Sequence, residues 1–176
     1  MKKILVLIVT VLGLYIPSQM EAQDVLKYLM KTNTAICNDS TKDINTRKIA
    51  VFKVDELTYL QTQAFPAASI LNQEADSVRL NTINSAVKLL NEQSLAMNTY
   101  VNLFLKRLSD CKKRNRDKVS YIFKHATLDN SMWHDMDKDL VMSYYDRSDY
   151  PIQFCLDCDW EKALEFIRTI DWSQYE

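Results

Sequence analysis

The sequence predicts an all-α protein, a bundle of five to six helices around one long central helix, stapled by disulfides. Three observations predict this fold class. The single glycine among 176 residues is Gly13, so the rest of the chain lacks the residue on which tight hairpin turns depend. Only Pro66 and Pro151 interrupt the later chain, and one segment has a long helical period. The missing glycines also exclude phosphate-cradling loops, the dinucleotide fingerprint and the nucleophile elbow.

The central helix is predicted over residues 67–111, where apolar positions recur in alternating steps of three and four. The positions are Leu80, Ile83, Val87, Leu90, Ser94, Met97, Val101, Phe104 and Leu108. This spacing places their side chains along one face of a helix. We expect this seam to pack inside the bundle, and a homodimer through the long helix is the alternative.

Shorter helices are predicted on both sides of the central one. The pattern indicates helices at 24–37, 46–65, 118–126, 138–145 and 159–170, with the basic run 112–116 as the corner after the central helix. Within the second helix, the β-branched stretch 49–54 is compatible with a strand, but no partner strand is predicted near it.

The first 22 residues are typical of a secretory signal peptide. Two lysines precede the apolar run Ile4–Ile16, which is shorter than the roughly 20 residues that span a bilayer. We expect cleavage between Ala22 and Gln23, which leaves residues 23–176 as a single helical domain in the periplasm or outside the cell. An uncleaved N-terminal anchor is the alternative.

Charge is unevenly distributed along the predicted domain. Residues 129–176 contain 12 acidic and 4 basic side chains, whereas residues 23–128 contain 10 acidic and 16 basic ones. Opposite charges favour packing of the two parts on each other, and an acidic surface that binds a partner is the alternative. Because the total is close to neutral, no nucleic-acid partner is predicted.

The four cysteines, in an exported chain, indicate disulfides. The preferred pairs are Cys37 with Cys111 and Cys155 with Cys158, and the crossed pairings stay open. A redox couple at Cys155 and Cys158 is the alternative, which flanking acids and the missing βαβ context disfavour. Zinc is disfavoured because no second pair of ligands lies nearby in the sequence.

Two further patterns have structural explanations that we prefer. The run 135–139, with three aspartates, resembles the start of a calcium loop, but Leu140 occupies the position that needs glycine. We expect Asp135 or Asp137 to cap a helix there instead. His125 could face Asp129 at i, i+4, yet no nucleophile accompanies it, so no catalytic, metal or cofactor residue is predicted. The aromatic residues of the last third are expected in the core, with a sugar-binding face as the alternative.

The signal ending Met-Glu-Ala-Gln and the tail 153–168, QFCLDCDWEKALEFIR, resemble small exported helical proteins of Gram-negative gut commensals, known as domains of unknown function. The resemblance implies a periplasmic or secreted location and no particular activity. Asp39-Ser40-Thr41, in a predicted loop, is similar to the O-glycosylation sites of such bacteria, with Ser40 as the acceptor. We therefore expect a non-catalytic binding protein whose partner is another envelope or extracellular protein. A thiol–disulfide redox protein and a small inhibitor or immunity-type protein are the alternatives.

Overall fold

The computed structural model describes residues 23–66 and 68–176, and none of these residues lies in a strand. The α-helices in chain order are α1 (Gln23–Asn38), α2 (Ile44–Ala64), α3 (Ala68–Leu71), α4 (Asp76–Asp110), α5 (Arg116–Asp129), α6 (Lys138–Val141) and α7 (Trp160–Thr169). Short 3₁₀ turns follow α4 at Lys113–Asn115 and α7 at Trp172–Gln174. The predicted all-α class is confirmed. The predicted signal peptide, residues 1–22, lies outside the described residues.

Helix α4 is the centre of the fold, as predicted. It has 35 residues, which corresponds to a rod of about 50 Å, and it packs against α1, α2, α5 and α7. Its seam is buried from Leu90 to Phe104, whereas Leu80 in the second turn is 59% exposed. The seam is therefore used within the bundle over most of its length, and only its first turns face solvent.

The boundaries of α2 show why the ambiguous stretch 49–54 is helical. Asp43 caps the helix and accepts hydrogen bonds from the backbone N–H groups of Asn45 and Thr46, each at 3.0 Å. At the other end, Phe65 has an extended backbone directly before Pro66, the conformation that a residue preceding proline prefers. A capped start and a proline stop thus define one continuous helix of 21 residues.

The helix predicted over 138–145 is wrong beyond its first turn, because α6 ends at Val141. The chain then turns so that Tyr144 enters the core. Its ring meets Phe52 edge-on at a centroid distance of 5.0 Å, and its hydroxyl donates a hydrogen bond to Asp55. Burial of a large aromatic ring with a paired hydroxyl stabilises this turn.

The core is built around aromatic rings from several helices. Tyr100 of α4 lies 5.4 Å from both Phe154 and Trp160, in edge-to-face contacts. Tyr144, Phe154, Trp160 and Trp172 are all buried, whereas Phe166 is 46% exposed. Four aromatic residues of the last third are therefore core residues, and Tyr150 and Tyr175 pack against the core while partly buried.

Among the described residues, the basic and acidic parts of the chain meet in two ion pairs. Lys48 Nζ lies 3.0 Å from an oxygen of Asp149, and Arg107 Nη1 lies 3.4 Å from Glu176. Both pairs are partly exposed, so each contributes little to stability. Most of the acidic surface therefore remains available to solvent.

Candidate interaction site

The segment that contains Cys155 and Cys158 is the most deeply buried irregular part of the described chain. From Phe154 to Trp160, every residue is at most 9% exposed. Its backbone N–H groups find partners on neighbouring elements: Cys155 N–H donates to Thr127 Oγ1 at 2.9 Å and Asp159 N–H to the Asn130 carbonyl at 2.7 Å. Hydrogen bonding of this kind is what allows an irregular backbone to be buried.

Asp157, between the two cysteines, organises the loop that follows α5. Its carboxylate accepts hydrogen bonds from Ser131 Oγ at 2.5 Å and from the backbone N–H groups of Met132, Trp133 and Asp135 at 2.9–3.0 Å. Burial alone would raise the pKa of Asp157, but these hydrogen bonds outweigh it and hold the pKa below the ordinary value. Asp157 is therefore an anionic centre around which the loop wraps.

We call residues 130–140 the apical loop. Within it, His134 is the one described non-glycine residue with a positive φ, 52°. This left-handed conformation is disfavoured for a residue with a Cβ, so the surrounding contacts must impose it. His134 N–H donates to Ser131 Oγ at 3.1 Å, and that hydroxyl donates in turn to Asp157. The hydrogen bonds to Asp157 thus account for the strain.

The apical loop is also fastened to the C-terminal end of α2. Asp135 accepts hydrogen bonds from Tyr59 Oη at 3.1 Å and from Gln63 Nε2 at 2.9 Å. The ring of Trp133 packs edge-on against Tyr59 at 5.8 Å. The loop is consequently held from beneath by Asp157 and from the side by α2.

The tip of the apical loop presents apolar side chains among acids. Met136 is 87% exposed, the highest value among the large apolar residues of the described chain, and Leu140 is 45% exposed. Asp137 and Asp139 are exposed beside them. Asp137 caps α6 by accepting from Leu140 N–H at 3.0 Å, so the predicted capping role is confirmed. The calcium-like run therefore has its first two aspartates engaged in hydrogen bonds of the loop.

A second buried polar cluster joins the cysteine segment to α2 and α4. Glu56 is fully buried and accepts from Trp160 Nε1 at 2.8 Å, while its other oxygen has no partner. Gln93 Oε1 accepts from Trp160 N–H at 2.7 Å. Burial raises the pKa of Glu56 well above its ordinary value, so this carboxyl is neutral over a wider pH range than an exposed one. The cluster fixes the start of α7.

All four cysteines are free thiols, so the predicted pairs Cys37–Cys111 and Cys155–Cys158 are wrong. The thiols of Cys155 and Cys158, which are close in sequence, make different contacts. Cys155 Sγ donates to the Asp157 carbonyl at 3.7 Å, whereas Cys158 is fully buried in the core. Cys111 donates to the Leu108 carbonyl of its own helix at 3.6 Å. Hydrogen bonds and packing, rather than sulfur bridges, therefore hold this fold.

The remaining residues singled out in the sequence lie apart from the apical loop. His125 stacks on Tyr121 at 3.9 Å and its Nε2 lies 3.2 Å from Tyr145 Oη. Ser40 is exposed in the turn between α1 and α2, and its glycosylation stays a prediction. Gln23 is the first residue of α1, and Ala22 lies outside the described residues.

Sequence reasoning missed the two residues that matter most in this site. The sequence around Asp157 did indicate a buried and hydrogen-bonded carboxylate, because an acid among apolar residues is rarely buried without partners. The sequence around Met136 likewise indicated an exposed apolar side chain, because a residue between two aspartates is poorly placed for a core. The sequence does not identify the groups that donate hydrogen bonds to Asp157, since they lie 22–26 residues away along the chain.

Two properties of the described residues bear on the range of functions. No helix within 23–66 and 68–176 is long and apolar enough to cross a membrane. Among the same residues, no group of three or more His, Cys, Asp or Glu side chains is arranged to hold a metal ion. Comparison with models of protein families, with curated proteins and with solved structures finds no match to this chain.

Proposed function

We propose that the chain is an exported, non-catalytic binding protein of the periplasm or cell exterior, and that the apical loop is its contact surface. The exported location rests on the signal-like residues 1–22 and on the resemblance to exported helical proteins of Gram-negative gut commensals. An inhibitor or immunity-type role is one form of the same activity, because such proteins act by binding a protein partner.

The observation that carries this proposal is Met136, 87% exposed on a loop that the buried Asp157 holds rigid. Single exposed apolar residues are ordinary on protein surfaces. Here the exposed side chain belongs to a loop that hydrogen bonds fasten to Asp157 and to α2, so little conformational entropy remains to be lost on binding. Methionine is also enriched in the centres of protein interfaces.

The charge of the loop indicates the chemistry of the partner. Asp137 and Asp139 lie between Met136 and Leu140, with Lys138 as the one cation among them, and the whole segment 129–176 has an acidic excess. A complementary partner offers an apolar socket with basic residues around it. The two proteins would associate faster at low ionic strength, and their contact would weaken as salt screens the charges.

The thiol–disulfide alternative lacks an accessible nucleophile in this structure. Cys155 and Cys158 are 3% and 0% exposed. Burial raises the pKa of Cys155 to about 11 and that of Cys158 well above its ordinary value. Because the thiolate is the attacking species, both residues are poor exchange partners at neutral pH. No observation favours this reaction over binding.

The proposal is tested by capture from an envelope extract on immobilised residues 23–176. Wild type is compared with Met136→Glu at the apical tip and with Tyr28→Glu, a control at a 55% exposed position on α1. We expect a partner that is retained by wild type and by the control, lost with Met136→Glu, and released by salt. Leu80→Glu tests the exposed turns of the α4 seam in the same way. Capture that depends on Leu80 and not on Met136 would contradict the proposal.

A further inference from the structure

A cleft of about 580 Å³ lies at the end of the molecule where α4 stops and α5 starts. We call it the basal cleft. Its apolar lining comes from α2, from the last turns of α4 and from the segment before the cysteines, namely Ile49, Leu105, Leu108 and Pro151. These side chains pack on the core from one side only, and three of them belong to the partly buried layer around it. The cleft therefore offers apolar surface to an incoming side chain.

The rest of the lining consists of the uncharged residues Asn45, Ser109 and Cys111 and of two cations. Lys113 and Arg116 border the cleft, both are exposed, and neither belongs to any of the ion pairs among the described residues. No acidic residue lines the cleft. Asp110 lies close in sequence but is paired with Lys106 at 2.6 Å. The chemistry that fits is an apolar side chain accompanied by carboxylates.

The apical loop has this chemistry, and it lies at the other end of the bundle. Along α2, the cleft includes Ile49 while the loop is fastened at Gln63. Fourteen residues of helix separate them, about 21 Å. Along α5, the cleft includes Arg116, whereas the loop begins after Asp129, a similar distance. A loop at one end of a rigid body cannot reach a cleft at the other end of the same copy.

We propose that the apical loop of one copy docks into the basal cleft of a second copy. This inference rests on the proposed function of the loop and names its partner. Met136 and Leu140 would cover the apolar lining, and Asp137 and Asp139 would face Lys113 and Arg116. Because the two surfaces differ, the contact is heterologous and leaves a free loop and a free cleft at the ends, so it repeats into chains. The contact is small, so the association is weak and sensitive to salt.

A native cysteine in the cleft lining provides a direct test. In the full mature chain, residues 23–176, Met136→Cys places a thiol on the loop, and Cys111 of the next copy lies in the cleft. Cys37→Ser removes the other half-exposed thiol. A short bismaleimide should then give a ladder of dimers, trimers and longer products. The matched control Tyr28→Cys should give none, and Cys111→Ser should abolish the ladder.

Complementation tests the direction of the contact. Met136→Glu removes the loop contact and Arg116→Glu removes the cleft contact, and both positions are exposed, so both variants should fold. By sedimentation velocity each variant alone should be monomeric. Their mixture should form dimers and nothing larger, because each pair retains one intact loop and one intact cleft. Wild type should increase in mean mass with concentration and decrease with salt.

The result that would overturn the inference is a wild type that stays monomeric at its highest soluble concentration, together with no ladder from Met136→Cys. A product that stops at the dimer in wild type would also overturn it, because it indicates a closed contact. Failure here is distinguishable from failure of the proposed function. If envelope capture depends on Met136 while purified wild type stays monomeric, the loop binds another protein and only the second copy is excluded as partner.

Discussion

Replacement of Asp157 by asparagine should unfasten the apical loop and destabilise the protein. The carboxylate accepts four hydrogen bonds, from Ser131 Oγ and from three backbone N–H groups between residues 132 and 135. An asparagine side chain has one carbonyl oxygen, and its NH₂ group would face donors. At least two hydrogen bonds to a charged acceptor would be lost, each contributing about 1.5–3 kcal/mol. We expect a decrease of about 3 kcal/mol in the free energy of unfolding.

Urea unfolding followed by tryptophan fluorescence measures this decrease, and amide hydrogen exchange locates it. The N–H groups of Met132, Trp133 and Asp135 should lose protection in Asp157→Asn, whereas those in the middle of α4 should keep theirs. Asp137→Asn is the matched control, because it removes a carboxylate that only caps the single turn of α6, with an effect of about 1 kcal/mol or less.

The pH dependence of this difference has a defined sign. The pKa of Asp157 is lowered in the folded state, so its contribution is fully present above the ordinary value of 3.8. It is lost as the pH falls through the lowered folded-state value, so the gap between wild type and Asp157→Asn should close in strong acid. A variant as stable as wild type at pH 7, with the loop amides equally protected, would refute the reasoning.

Two substitutions and one labelling experiment test the buried ionisable groups. Glu56→Gln keeps an acceptor for Trp160 and removes a carboxyl whose pKa is raised above its ordinary 4.5. Because wild type loses stability as the pH rises above that value, urea unfolding should show the variant gaining stability relative to wild type between pH 4 and pH 7. An equal difference at both pH values would contradict this. Burial lowers the pKa of Lys53 from the ordinary lysine value of 10.5 to about 8. Wild type should therefore become more stable as the pH rises from 8 to 10.5. At pH 7, Lys53→Met should be about 1–3 kcal/mol more stable than wild type. A destabilised Lys53→Met would show that the hydrogen bonds from Lys53 Nζ to Asn98 and Asn102 outweigh the cost of burial. Iodoacetamide followed by mass spectrometry should leave Cys155 and Cys158 unmodified until the protein is unfolded, and rapid native labelling would indicate that the segment opens.

The central helix was predictable because its signal is local and repeated. Periodicity over nine positions of the seam requires no knowledge of what packs against it, and it predicted a helix that the structure places at Asp76–Asp110. The start was less well predicted, since Pro66 ends α2 while the turns that follow, including α3, separate it from Asp76. The cap at Asp137 was predictable for the same local reason.

The cysteines could not be assigned from spacing because a disulfide depends on side-chain direction. Two residues between Cys155 and Cys158 permit a bridge, but in the structure Leu156 and Asp157 are both buried and send the thiols into different contacts. The pair Cys37 and Cys111 likewise depends on how the ends of two helices meet. Such geometry is a property of the packed bundle, and no local pattern encodes it.

The apical loop was beyond prediction because its contacts span long distances along the chain. Asp135 is fastened to Tyr59, 76 residues earlier, and Asp157 closes the loop from 22–26 residues later. The sequence did predict an acidic C-terminal part that binds a partner as one alternative. It could not show that Met136 is the exposed tip of that part, because the exposure follows from these contacts.

A photo-reactive amino acid placed at position 136 measures the central claim most directly, when the protein is made in its own cells and irradiated there. Position 28 serves as the control and position 80 tests the exposed seam, all three being well exposed in the wild-type chain. We expect specific adducts from position 136, reduced by Asp157→Asn and by salt, with the apical loop identified in the cross-linked peptide. Adducts from position 80 or 28 alone, with none from 136, would contradict a docking role for the loop.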